Sequence, residues 1–286
     1  MTKSNSFKRV LSFLAIAMLA LVAVACSNDK NEESKKEEKS GWDAIQEAGK
    51  LKVATSGTLY PASYHDSESN ELTGYDVEVT REVAKRLDLE VEFTEMAFDG
   101  MLSSINNGQT DIAVNDITAT DERKEKFAFT EPYKYSFGAA IVRKSDLSGI
   151  KDLNSLKGKK AAGEATTTCM EVAREHGAEE VIYDNATNDQ YLRDVSTGRT
   201  DVILNDYYTQ RLGVAAFPEF DITIHPDIKY NPSNQAILMK KENSELLKNI
   251  NKVLDEMKSD GTMAEISKKF YDGADVTQEV QLDSVE

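Results

Sequence analysis

The chain has 286 residues, 40% of them hydrophobic, and carries a formal net charge of −16 at pH 7. A chain of this length can bury one large core or two medium ones, so it is not a single small domain. The strong acidity argues against nucleic acid as a partner, because a phosphate backbone repels a negative surface.

The N-terminal segment has the pattern of a secretion signal. Three basic residues precede an apolar run over residues 10–25, which is shorter than the roughly 20 residues of a membrane-spanning helix. Cys26 follows directly, and residues 21–26 resemble the lipobox of bacterial lipoproteins. We expect export, cleavage after residue 25, and fatty acyl chains such as palmitate on Cys26 that anchor the protein to the outer face of the cell membrane. Signal cleavage without lipidation is the alternative.

Removal of residues 1–25 takes away three positive charges and no negative ones, which changes the net charge from −16 to −19. Lipidation of Cys26 would leave Cys169 as the only thiol, so we expect no intrachain disulfide. Residues 26–41 contain the lipidated cysteine and a polar run that cannot bury enough surface to fold, and we interpret them as a disordered tether.

From Trp42 onward, short apolar strands alternate with amphipathic helices. The first half of the pattern predicts strands over 51–55, 91–93 and 111–115, and helices over 75–87 and 101–107. This β-α-β-α-β order is typical of a parallel sheet with right-handed crossovers.

The second half repeats this order. The predicted strands are 159–163, 180–183 and 201–204, and the predicted helices are 169–176 and 189–196. Residues 108–116 and 198–206 match at five of nine positions, and each segment ends in Asn-Asp. Because ligands bind at the carboxyl ends of parallel strands, we expect Asp116 and Asp206 to face each other across one crevice.

The repeat predicts two lobes. We assign residues 42–138 together with 237–271 to lobe I, residues 139–236 to lobe II, and residues 272–286 to an acidic tail. The chain would cross between the lobes near residues 137–143 and 233–239, and the helical segment 244–270 would pack back on lobe I.

Several motifs, in this order and spacing, resemble those of the ABC-transporter substrate-binding proteins for polar amino acids, and most of all the cystine-binding branch. They include Gly74-Tyr75-Asp76-Val77, Phe98-Asp99-Gly100-Met101-Leu102, Asp116-Ile117-Thr118-Ala119-Thr120-Asp121-Glu122-Arg123, Pro132-Tyr133 and Asp260-Gly261-Thr262. The resemblance covers residues 42–271. It implies a two-lobed α/β fold of the periplasmic-binding-protein type II, with a parallel-rich sheet flanked by helices in each lobe and two crossover strands as a hinge.

The resemblance implies that Thr118 and Arg123 hold the carboxylate of an amino acid. The chemistry agrees, because a guanidinium donates two parallel charge-assisted hydrogen bonds to a carboxylate. The alternative is that Arg123 is a solvated charge on a polar helix.

Two further candidate groups lie in the second half. Thr167 and Thr168 precede a predicted helix, so their hydroxyls and backbone N–H groups would point at an anion. Asp206 is the candidate for the ligand's ammonium group, since an ionised carboxylate only accepts hydrogen bonds. Plain helix capping is the alternative for both groups.

The resemblance also implies that Tyr64 and Phe98 form aromatic walls around the ligand side chain. Such residues more often belong to a core. Asp116 and Glu164 would favour a ligand with a second ammonium group, or they would simply face water.

Together these features predict an extracytoplasmic lipoprotein of an ABC importer that closes on an amino acid, with cystine or a basic amino acid favoured, and delivers it to a membrane permease. We expect a monomer with no catalytic residues, no metal and no cofactor. The alternative is an exported enzyme that resembles cyclohexadienyl dehydratase and shares the fold.

Overall fold

The computed structural model describes residues 41–183 and 185–280. The predicted signal segment, Cys26 and most of the predicted tether lie outside the described residues, as do residues 281–286. Within the described ranges, no helix is both long enough and apolar enough to cross a membrane.

The first half of the described chain alternates strands and helices as follows: α1 (Gly41–Ala48), β1 (Lys50–Thr55), β2 (Thr58–Leu59), β3 (Ser63–His65), β4 (Leu72–Thr73), α2 (Tyr75–Arg86), β5 (Glu90–Glu95), α3 (Phe98–Asn107), β6 (Ile112–Ala113), α4 (Asp121–Lys126), β7 (Phe127–Phe129) and β8 (Lys134–Arg143). The second half continues with β9 (Lys160–Gly163), α5 (Thr168–Glu175), β10 (Glu179–Ile182), α6 (Asn188–Ser196), β11 (Ile203–Asp206), α7 (Tyr207–Ala216), β12 (Ile222–Gln235), β13 (Leu238–Lys240), α8 (Ser244–Ser259) and α9 (Thr262–Phe270). Two short 3-10 turns connect β8 to β9.

The first lobe is built on a five-stranded sheet in the order β5-β1-β6-β13-β7. β1 pairs in parallel with β5 and β6, and β13 pairs antiparallel with β6 and β7. Side chains alternate between the faces: Leu51 and Val53 enter the core under α1, α2, α8 and α9, while Ala54 enters the core under α3. Both faces of this sheet are therefore covered.

The second lobe contains the antiparallel sheet β11-β8-β12 and the parallel pair β9-β10, joined by a parallel bridge between Ala161 and Val202. Side chains along β8 also alternate between two cores, since Ala140 and Val142 contact one core and Ile141 contacts the other. Each lobe thus has cores of its own, which confirms the two-lobed α/β architecture predicted from the repeat.

The parallel pairs expected from the β-α-β order are present, and antiparallel partners from β8, β12 and β13 make the sheets mixed. These three strands overlap the segments predicted to cross between the lobes. Each of them pairs antiparallel with its neighbours in the sheet. β8 runs without a break through the predicted lobe boundary at residue 138. The boundaries themselves stay a prediction.

The internal repeat has a structural role in both lobes. Gly108 ends α3 in the left-handed conformation, at φ 75°, and Gly198 follows α6 at the same φ. Three residues later, the Asp111 carboxylate accepts from the Lys52 N–H at 2.9 Å, and the Asp201 carboxylate accepts from the Lys160 N–H at 2.9 Å. In each lobe the aspartate side chain thus joins the chain just before a strand to the neighbouring strand, while β6 itself is shorter than the strand predicted over 111–115.

Candidate functional site

A cavity of about 540 Å³ lies between the two lobes. It opens where β6 and β11 end, at the carboxyl edge where an α/β sheet places its ligands. Eight of the nine residues predicted for the site line it, namely Phe98, Asp116, Thr118, Arg123, Glu164, Thr167, Thr168 and Asp206.

Tyr64 is the exception. It lies on the small sheet β2-β3-β4, half-buried, with its ring edge-on to Tyr60 at a centroid distance of 4.8 Å and against the core of the first lobe. Because its ring packs there, it does not contribute to the cavity wall.

Arg123 projects from α4, a short helix capped by the Thr120 hydroxyl, which accepts from the Arg123 N–H. One guanidinium nitrogen donates to the Thr118 carbonyl at 3.0 Å, and the other donates to the Thr166 carbonyl of the second lobe, also at 3.0 Å. Its carbon lies 5.0 Å from the centre of the Phe98 ring, a cation–π contact. Arg123 is thus a half-buried cation on the cavity wall rather than a solvated helix charge, and burial lowers its pKa.

The N-terminus of α5 faces the cavity from the second lobe. Thr167 caps this helix, since its hydroxyl accepts from the Met170 N–H at 3.3 Å and donates to the Glu164 carbonyl at 2.9 Å. The Thr167 hydroxyl is therefore occupied by capping. Thr168, the first residue of the helix, also lines the cavity.

Asp206 both caps a helix and faces the cavity. Its Oδ1 accepts from the Thr209 N–H of α7 at 2.8 Å and lies 3.1 Å from the Lys134 ammonium. Its Oδ2 is buried and has no hydrogen-bond partner within the described protein. Capping therefore uses Oδ1, and Oδ2 is the oxygen left for the predicted contact with a ligand ammonium.

Lys134 is a residue of this region that the sequence analysis missed, as it also missed Thr209 and Tyr230. It begins β8, its side chain is 0% exposed, and its ammonium lies 2.6 Å from Asp116 Oδ1 as well as 3.1 Å from Asp206 Oδ1. Burial alone would lower the pKa of Lys134, but the two neighbouring carboxylates raise this pKa above its usual value. A lysine that opens a ten-residue strand with buried neighbours is the signal that could have identified it.

Asp116 does not face water. Its backbone has a left-handed φ of 55°, and its side chain is 5% exposed, with Oδ2 accepting from the Thr209 hydroxyl at 3.3 Å. Burial raises the pKa of Asp116 to about 6, and the Asp206 charge adds to the effect while Lys134 opposes it. Its N–H donates to the buried Asp76 at 2.5 Å.

Cys169 and Tyr230 complete the wall on the second lobe. Burial raises the pKa of the Cys169 thiol to about 11, so the thiol is protonated at neutral pH and a poor nucleophile. The Tyr230 ring covers Gly138 of β8, where a Cβ atom would lie 2.3 Å from ring carbons.

The cavity thus offers hydrogen-bond donors at Arg123 and the start of α5, and an unpartnered carboxylate oxygen at Asp206. A zwitterion, with its carboxylate beside its ammonium, has the complementary charges.

Residues 51–273 match the family described as bacterial extracellular solute-binding proteins, family 3. The chain is 59% identical over 283 residues to the probable ABC transporter extracellular-binding protein YckB of Bacillus subtilis (strain 168), covering 98% of each protein. It is also 34% identical over 269 residues to the L-cystine-binding protein TcyA of the same organism, covering 93% of this chain and 97% of TcyA.

Solved structures agree with the fold. The crystal structure of YckB has a TM-score of 0.69 and 63% identity, covering 85% of this chain and 98% of YckB. AbpA, an amino acid ABC transporter substrate-binding protein from Streptococcus pneumoniae bound to L-arginine, has a TM-score of 0.74 and 26% identity, covering 83% and 100%. AncCDT-1, an ancestral amino acid-binding protein and precursor of cyclohexadienyl dehydratase, has a TM-score of 0.72 and 27% identity, covering 80% and 98%.

Proposed function

Since the chain belongs to the bacterial extracellular solute-binding proteins of family 3, we propose that it binds a zwitterionic amino acid in the cavity between its lobes and delivers it to an ABC permease. We propose cystine or a basic amino acid as the ligand. The similarity to TcyA, an L-cystine-binding protein, and to AbpA, solved with L-arginine, supports these two classes.

The observation that carries the proposal is the unpartnered Oδ2 of Asp206. A buried acceptor without a donor costs on the order of 1–3 kcal/mol, and more for a charged group. Asp206 lines the same cavity as Arg123, which comes from the other lobe, and its Oδ2 is buried beside that cavity. An α-ammonium at Asp206 would remove that cost, with the ligand carboxylate at Arg123.

The carboxylate end has enough donors. A guanidinium carries five N–H donors, and two of those of Arg123 go to protein carbonyls, which leaves others for the ligand. The α5 N-terminus adds backbone dipoles from the second lobe. Because both lobes then hold the ligand, the closed form binds it better than the open form, and binding shifts the population toward closure.

The test is calorimetric titration of the protein with each amino acid, cystine included. We expect one of the two ligand classes to bind with a dissociation constant of about 1 µM or tighter. Arg123→Lys keeps the charge and loses the planar fork, so we expect at least about tenfold weaker binding from it. If no amino acid binds, the proposal fails.

We also propose that the exported chain is lipidated on Cys26 and held at the outer face of the cell membrane. The small residues before Cys26 and the apolar run of residues 10–25 support this. Metabolic labelling with a palmitate analogue should mark the wild type and not Cys26→Ser, and the Cys26→Ser protein should appear in the culture medium. Equal labelling of both proteins would contradict lipidation of Cys26.

The alternative is a cyclohexadienyl-dehydratase-like enzyme, which the similarity to AncCDT-1 brings into view. We favour binding without catalysis, because the relatives YckB and TcyA are named as binding proteins. Incubation with prephenate and with arogenate, followed by chromatography, distinguishes the two. Turnover of either compound would favour the enzyme.

A further inference from the structure

Lys134 joins carboxylates that come from two different lobes. Asp116 follows β6 of the first lobe, and Asp206 ends β11 of the second. The Lys134 ammonium lies 2.6 Å from an oxygen of the former and 3.1 Å from an oxygen of the latter. Both carboxylates line the cavity, and Lys134 lies behind them with no exposed surface.

The two carboxylates differ in what they leave for a ligand. Asp116 uses both oxygens within the protein, one toward Lys134 and the other toward the Thr209 hydroxyl. Asp206 uses Oδ1 for Lys134 and for the Thr209 N–H, while Oδ2 has no partner within the described residues. Of the two carboxylates in this wall of the cavity, only Asp206 therefore keeps an oxygen with no partner within the described residues.

The charges give the same count. Of the groups named above, two carboxylates and one ammonium leave one net negative charge, and Lys134 lies closest to Asp116. Asp76 lies behind Asp116 and accepts from its N–H, and because burial raises the pKa of Asp76 to about 7, this carboxyl is protonated below neutral pH, where the count is made. Without the lysine, two buried carboxylates would face each other with no cation, which is costly in a water-excluded site. The Lys134 ammonium therefore occupies the position at Asp116 that a second ammonium group of the ligand would otherwise take.

We propose that Lys134 is a specificity-determining positioning residue, which neutralises Asp116 and orients Asp206 so that this wall accepts a single ligand ammonium. The inference rests on the proposed function and narrows it, because the α-ammonium is the one cationic group bound here. A second cationic group on the ligand must bind elsewhere in the cavity.

The test measures discrimination for the α-ammonium by calorimetry, with full-length protein purified in detergent. The probes are L-arginine against 5-guanidinopentanoate, which lacks the α-ammonium, and L-cystine against dithiodipropionate, which lacks both α-ammonium groups of cystine. Discrimination is the ratio of the two dissociation constants within a pair. A merely structural defect weakens both members of a pair and leaves the ratio unchanged.

Asp116→Asn keeps the shape of the side chain and removes its charge, so Lys134 then cancels Asp206. We expect discrimination to fall by at least about tenfold. Adding Lys134→Met to this variant removes the excess cation and restores one negative charge, so we expect discrimination to return to within about threefold of the wild type.

The controls are Asp88→Asn alone and with Lys85→Met. Asp88 is exposed and has a φ of 56°, close to the 55° of Asp116, and Lys85 is also exposed. We expect neither control to change discrimination.

The outcomes separate the two proposals. Wild-type discrimination in Asp116→Asn overturns the role of Lys134, as does a folded double variant that stays at the level of Asp116→Asn. If the double variant does not fold, Asp116→Asn alone decides, with a tenfold loss supporting the inference. A wild type that binds neither amino acid overturns the proposed function together with this inference.

Discussion

Asp76 is a buried acid next to the site whose charge depends on its neighbours. It lies in the first turn of α2, and its Oδ2 accepts from the Asp116 N–H. Burial, followed by the Asp116 charge, raises its pKa from 3.8 to about 7, while Lys134 opposes the shift. The folded protein therefore keeps a proton that the unfolded chain releases.

The pKa of Asp76 predicts how stability changes with pH. Because the folded-state pKa is raised, the stabilising contribution is complete below the unfolded value of 3.8 and is lost as the pH rises through about 7. Asp76→Asn cannot lose this proton, so it should gain stability relative to the wild type as the pH is raised from about 5 to about 8. Asp116 also titrates, so part of the pH dependence should remain.

The measurement is the melting temperature of both proteins across that pH range. Asp255→Asn, an exposed position on α8, serves as the control and should follow the wild type. A melting temperature difference between Asp76→Asn and the wild type that does not change with pH would contradict the raised pKa.

At the residue scale, sequence reasoning found groups that carry a recognisable pattern. Arg123 was identified from the motif of residues 116–123, and Asp206 from the end of the internal repeat. The structure places both residues in the lining of one cavity. Lys134 was missed because its role depends on two carboxylates distant in sequence. The sequence left open whether Asp116 faces a second ligand ammonium or water. The structure shows that its two carboxylate oxygens accept hydrogen bonds from Lys134 and Thr209.

At the scale of single elements, β8 carries both the cation and a close backbone contact. Lys134 begins the strand, and Gly138 lies in it under the Tyr230 ring. A Cβ atom at position 138 would lie 2.3 Å from the ring, far inside van der Waals contact. A Cβ atom at this position would therefore force either the Tyr230 ring or the strand to move.

We expect Gly138→Ala to displace Tyr230, to destabilise the protein by about 1–3 kcal/mol and to weaken ligand binding. Gly100→Ala is the matched control, because its Cβ would meet only Met96 side-chain atoms at 3.5 Å. That change, inside α3, should stabilise the protein by about 0.5–1 kcal/mol. Denaturant unfolding and calorimetry give both quantities, and wild-type values for Gly138→Ala would show that Tyr230 has room to move.

Periodicity predicted the helices and the parallel strands well, because their apolar spacing reflects burial on one or two faces. α2, for example, was predicted over 75–87 and spans Tyr75–Arg86. The antiparallel partners were not predicted, since β8 and β12 pair between residues that are 79 or more positions apart in sequence. Their pairing depends on the return of the chain between lobes, which no local pattern encodes.

At the scale of the whole molecule, hydrogen bonds join the lobes around the cavity. The Thr58 hydroxyl donates to the Asn185 side chain at 3.0 Å, and the Asn188 side chain donates to the Tyr60 carbonyl at 3.1 Å. The Thr166 hydroxyl also donates to Asp99, near the contact between Arg123 and the Thr166 carbonyl. These bonds span the two lobes, so under the closure proposed above they would stabilise the closed form and not the open form.

Removing one of these bonds should speed ligand release. Asn188→Ala loses the bond to the Tyr60 carbonyl, and a neutral hydrogen bond contributes about 0.5–1.5 kcal/mol, which corresponds to roughly two- to tenfold faster dissociation. The association rate should change little, because the open form that the ligand enters does not make this bond. Stopped-flow fluorescence resolves the two rates. Asn154→Ala, at an exposed position away from the cavity, should leave both unchanged, whereas an unaltered dissociation rate in Asn188→Ala would mean that this bond does not hold the lobes together.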